Sequence, residues 1–80
     1  MVVVAERVDV SRQARELREN ALVLTAVVAN KPGGMEREAA LLQASMATGT
    51  SLSRMPYILT FAKAERLIAV KGGTSVLYTL

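Results

Sequence analysis

Apolar side chains recur at steps of three and four from Ala14 through Leu17, Ala21 and Leu24 to Val28. That spacing is the period of an amphipathic helix. Ser11 offers a hydroxyl to cap it, and KPGG at residues 31–34 stops it. Within this helix residues 21–29 (ALVLTAVVA) are apolar on every side, and such a helix is normally buried. Two further short helices and a hairpin can hardly surround it in a chain this small. A homodimer contact through Leu22, Val23, Ala26 and Val27 is therefore expected, the alternative being a central helix in a monomer. Ahead of it, valines stand at positions 2, 4, 8 and 10. This pattern reads as an N-terminal edge strand or arm over residues 1–10.

A second helix is expected over residues 35–48, with Met35, Ala39, Leu42 and Met46 as its inner stripe. Glu36 and Glu38 suit the positive end of its dipole, and Gly49 suits a left-handed C-terminal cap. A third helix is expected over residues 53–66, capped by Ser53, with Pro56 harmless in its first turn. Met55, Ile58, Leu59 and Ala62 fall on one side, and Tyr57, Phe61 and Ala64 on another. One stripe stays polar or small: Ser53, Pro56, Thr60 and Lys63, bordered by Arg66. The chain closes on LIAVKGGTSVLYTL, two runs rich in β-branched residues flanking Lys71, Gly72, Gly73 and Thr74. This is a hairpin, and an isolated hairpin is marginal in water, so it must pack on the helices.

Eighty residues make one domain, 51% of them hydrophobic. With no Cys and no His, neither a disulfide nor a Cys/His zinc site can brace it. The absence of Cys is compatible with a reducing cytoplasm. The longest apolar run falls far short of the ~20 residues a membrane-spanning helix needs, and the N-terminus lacks the basic and long apolar regions of a signal peptide. The expectation is a soluble, cytoplasmic protein.

The net charge of +3 is unevenly distributed. Up to Gly49, Arg7, Arg12, Arg15, Arg18, Lys31 and Arg37 balance Glu6, Asp9, Glu16, Glu19, Glu36 and Glu38. From Thr50 onward Arg54, Lys63, Arg66 and Lys71 face Glu65 alone. Such asymmetry suggests an anionic partner, although basic residues also solubilise an apolar domain. Catalysis is not expected. There is no His or Cys, Asp9 is the only Asp, and Ser51 and Ser53 have no base nearby in sequence. No nucleophile, base and orienting group are assembled, Gly33 and Gly34 lack the context of a phosphate loop, and no metal or cofactor is implied.

The order helix, short Gly-containing turn, helix, basic Gly-tipped hairpin resembles a winged helix-turn-helix domain. The resemblance covers residues 11–80 and is carried by EREAALLQASMATGTSLSRMPYILTFAKAERLIAVKGGTSVLYTL, with residues 39–67 as the helix-turn-helix and residues 68–80 as the wing. It points to a superfamily of DNA-binding domains found in transcriptional regulators and in plasmid and phage proteins. The expected fold is mainly α with a small β-hairpin: three helices plus a C-terminal wing.

What the resemblance implies is sequence-specific binding of double-stranded DNA by a small dimer. The third helix would enter the major groove. Thr50, Ser51 and Ser53 would then hold a phosphate near its start, and Arg54 would read a guanine through O6 and N7. Thr60 and Lys63 would line the groove, and Lys71, Gly72, Gly73 and Thr74 would form the wing contact. The plain alternatives are that Ser53 only caps the helix and that Gly72 and Gly73 only turn the hairpin. Winged helices also serve as protein-interaction modules without DNA binding, and fold does not fix function. The apolar Ile58, Leu59 and Phe61 leave that second reading open.

Overall fold

The computed structural model describes residues 2–80, with side-chain surroundings given from Arg12 onward. Three helices, α1 (Val2–Ala29), α2 (Arg37–Thr48) and α3 (Met55–Ala64), pack with a three-stranded antiparallel sheet. The strands are β1 (Met35–Glu36), β2 (Ile68–Val70) and β3 (Val76–Thr79), in the order β1-β3-β2.

The first helix departs from expectation at its start. It runs from Val2 without interruption, so the N-terminal strand is replaced by helix and Ser11 does not mark a helix start. β-branching lowers helix propensity only slightly, so valines at 2, 4, 8 and 10 are compatible with an uninterrupted helix. The arm reading over residues 1–10 concerns side chains that lie outside the described residues. Residues 12–16 are all exposed, Ala14 among them, and Leu17 is the first of the described residues in α1 to pack against the core.

The core gathers Ala21, Leu24 and Val28 from α1 with Ala40, Leu41 and Ala44 from α2. Met55, Ile58, Leu59 and Ala62 enter from α3, and Met35, Ile68 and Leu77 from the sheet. Each fully buried Leu, Ile, Val or Met contributes about 1.5–3 kcal/mol, and Leu24, Met55, Ile68, Leu77 and Val28 are all buried to below 2% exposure. Among the described residues, α1 thus packs within its own chain along one face. Val27 is half-buried against this core, and Val23 is half-buried, whereas Leu22 (48% exposed) and Ala26 face outward.

The second helix is shorter than expected and turned. Met35 and Glu36 form a strand, because the edge of β3 pairs them as Met35↔Leu77 and Glu36↔Val76. The amide of Arg37 donates to the Ser75 carbonyl at 2.8 Å and extends the pairing into the first residue of α2. Met35 is buried as expected, but from the sheet, while Ala39, Leu42 and Met46 are exposed. The buried stripe is Ala40, Leu41 and Ala44, and the physical reason is that small alanines allow α2 to sit close to α1 and α3. Gly49 closes the helix in the left-handed conformation (φ 72°), its N–H bonding the Ser45 carbonyl, as its position suggested.

The hairpin is tied down by that first strand. β2 and β3 pair as Ile68↔Thr79, Ala69↔Tyr78 and Val70↔Leu77. This register directs Ile68 and Leu77 into the core and leaves Ala69 and Tyr78 on the opposite face. Gly34, at φ 101°, is where α1's exit turn crosses the sheet. A Cβ there would lie 2.6 Å from the Leu77 carbonyl oxygen and 2.7 Å from Val76 Cγ1, so only glycine fits.

Candidate nucleic-acid interface

The turn between α2 and α3 is held by a small set of hydroxyl bonds. Ser45 Oγ donates to the Thr50 carbonyl at 2.6 Å, and the Thr50 amide donates to Thr48 Oγ1 at 3.2 Å. Asn20 Nδ2, from α1, donates to Thr50 Oγ1 at 3.2 Å. Thr50 is thus a structural lock between helices and only half-exposed, which accounts for it without a ligand.

The expected cap at Ser53 is not formed. Residues Leu52–Arg54 make a 3₁₀ turn, Arg54 occupies the N-cap position of α3, and no side chain bonds the first-turn amides. Ser53 lies inside this turn with its hydroxyl 3.0 Å from that of Ser51. A 3₁₀ turn tightens the approach to Pro56, which occupies the first turn of α3. Ser51, Ser53 and Arg54 are all exposed at the start of this helix. Arg54 also lines a groove of about 380 Å³ against α1, together with Glu16, Asn20 and Tyr57.

Along α3 the side facing away from the core carries Tyr57, Thr60 and Lys63. Thr60 Oγ1 donates to the Pro56 carbonyl at 2.9 Å, so it is left as an acceptor toward any partner. Tyr57 is 76% exposed, the most open of the large apolar side chains on this helix. Sequence periodicity grouped it with Phe61 on an apolar side. The signal that distinguishes it is its position three residues after Arg54, one turn along the same face.

The third helix ends at an arginine in the conformation usually reserved for glycine. Arg66 has φ 60°. Its amide bonds the Lys63 carbonyl at 3.0 Å, and the Leu67 amide bonds the Ala62 carbonyl at 2.9 Å, which is the Schellman closure.

At the hairpin tip, Lys71 N–H bonds the Val76 carbonyl at 2.8 Å and Thr74 N–H bonds the Lys71 carbonyl at 3.1 Å. Gly73, at φ 73°, supplies the positive φ such a turn requires. Thr74 Oγ1 donates to the Lys71 carbonyl at 2.8 Å and accepts from Val76 N–H at 3.2 Å, so its hydroxyl organises the tip. Lys71, Gly72, Gly73 and Thr74 are all exposed.

Among the described residues there is no cluster of His, Cys, Asp or Glu able to hold a metal ion. No helix among them is long and apolar enough to cross a membrane. No family model, no curated protein and no solved structure matches this chain.

Proposed function

We propose that this chain binds double-stranded DNA as a small winged helix-turn-helix domain of the kind used in transcriptional regulators and plasmid or phage DNA management, with no cofactor. The observation that carries the reading is the exposure of every cation after Thr50. Arg54, Lys63, Arg66 and Lys71 all stand open to solvent on the turn leading into α3, on α3, on its C-terminal turn and on the hairpin tip. Glu65 is the only acid in that third of the chain. A sheet that pins the hairpin to the helices through β1 supports its use as a wing, since a tip carried on a fixed base holds its cation in register with α3.

In this reading Arg54 and Tyr57 meet the major groove, Ser51, Ser53 and Lys63 flank them, and Lys71 meets backbone phosphate. A dimer formed through the outer face of α1, with Leu22 and Ala26 at its centre and Val23 at its edge, doubles the binding surface. Val27 belongs to the core of its own chain and contributes at most its half-exposed edge. An electrophoretic mobility shift with pooled random duplexes tests the proposal. Binding whose log affinity falls linearly with log salt is the expected result. No shift at low salt removes it.

A second reading follows from α2. Leu42 (50% exposed), Met46 (73% exposed) and Ala39 form an apolar stripe directed away from the core. A protein-interaction module would use that stripe, and its binding would be insensitive to salt.

A further inference from the structure

Two turns of the same construction line one groove of about 570 Å³. In the first, Gly34 N–H bonds the Lys31 carbonyl at 3.1 Å with Gly33 at φ 86° in the third position. In the second, Thr74 N–H bonds the Lys71 carbonyl at 3.1 Å with Gly73 at φ 73° in the third position. Each turn begins with an exposed lysine, and Lys31, Gly33, Lys71, Gly72 and Tyr78 all line the groove. Among the described residues, no acidic side chain does. The turns lie 40 positions apart (71 − 31), and the groove they line also takes in Tyr78 and Thr79 of β3, the strand that pairs with β1 on one side and β2 on the other.

The glycines separate into those the fold needs and those it does not. Gly34 is required by crowding, and Gly33 and Gly73 by their positive φ. Gly72 is required by neither: its φ lies outside the left-handed range, and a Cβ there would meet nothing within 4 Å. Among the described residues, the amides of Gly33 and Gly72 donate to no backbone or side-chain acceptor. A bare backbone with free N–H groups beside lysine ammoniums is the chemistry that receives an oxyanion.

We propose that this groove binds a phosphate group, held by the Lys31 and Lys71 ammoniums and the Gly33 and Gly72 amides. Where the phosphate is a DNA phosphodiester, the inference rests on the reading above and adds the turn at residues 31–34 to the wing as a second backbone clamp. A free phosphate or phosphate monoester presents the same oxygens.

The test uses the full chain and amide-resolved NMR. Inorganic phosphate should move the Gly33 and Gly72 amides beyond the shift produced by chloride at equal ionic strength. Gly72→Ala and Lys31→Gln should each reduce that response several-fold without lowering the melting temperature. With random duplex DNA, Lys31→Gln should weaken binding about equally across sequences and reduce the salt slope by about one unit. If neither phosphate nor duplex moves these amides, the groove is not a phosphate site, even where duplex binds elsewhere on the chain. A specific response to phosphate with no duplex binding supports the site for free phosphate and removes the DNA reading.

Discussion

Asn20 Nδ2 donates to Thr50 Oγ1 at 3.2 Å, joining α1 to the turn between α2 and α3 across 30 positions of sequence. This bond ties α1 to the turn that leads into α3, beside the core packing that holds the two helices together. Asn20→Ala should lower stability by about 0.5–1.5 kcal/mol, read by urea unfolding. If Thr50 is only a lock, Thr50→Val in the Asn20→Ala background should add much less than it does alone.

Gly34→Ala should be severe for its size. The added methyl meets backbone oxygen at 2.6 Å and must also adopt φ 101°. A loss of about 2–3 kcal/mol is expected, and thermal melting measures it. Gly72→Ala, with open space around it, should be within about 0.5 kcal/mol of the parent.

Arg66→Gly should act in the opposite direction. The left-handed conformation costs a non-glycine residue about 1 kcal/mol, and the Schellman bonds remain available to glycine. A rise in melting temperature is expected. If duplex affinity falls at the same time, the arginine is retained at the cost of stability for its charge.

Leu24→Ala and Leu22→Asp discriminate core from interface. Leu24 is fully buried in its own chain, so its truncation should cost about 2–5 kcal/mol. Leu22 is 48% exposed, so an aspartate there should leave the monomer folded. In analytical ultracentrifugation the parent should sediment as a dimer and Leu22→Asp as a monomer. A parent that is monomeric at high micromolar concentration removes the dimer.

Arg54→Ala should cost ~1–3 kcal/mol on a preferred site and little on random duplex, whereas Lys71→Ala should weaken both alike and lower the salt slope by about one. Titration of the two variants across several salt concentrations separates base reading from phosphate contact. An unchanged slope for Lys71→Ala removes the hairpin tip from the binding surface.

Much of this architecture follows from local chemistry that can be read along the chain. The steps from Leu17 to Val28 mark the buried face of α1, the helix ends at Ala29 with only Asn30 separating it from the KPGG stop, and Gly49 ends α2 because the αL position there favours glycine. The buried quartet of α3, Met55, Ile58, Leu59 and Ala62, is the stripe its periodicity indicates. These are decisions taken within a few residues, where the 3.6-residue period and the special dihedrals of glycine and proline dominate.

The face of α2 was decided elsewhere. Ala39, Leu42 and Met46 are as apolar as Ala40, Leu41 and Ala44, so hydropathy alone assigns the interior to either stripe. Packing against α1 and α3 selects the one built on Ala40, Leu41 and Ala44. Likewise Met35 and Glu36 become a strand only because β3 offers them an unpaired edge, and a two-residue strand has no signal of its own. The groove lined by Lys31 and Lys71 is likewise a product of the tertiary structure, since two turns that nothing in the linear order connects contribute to one lining.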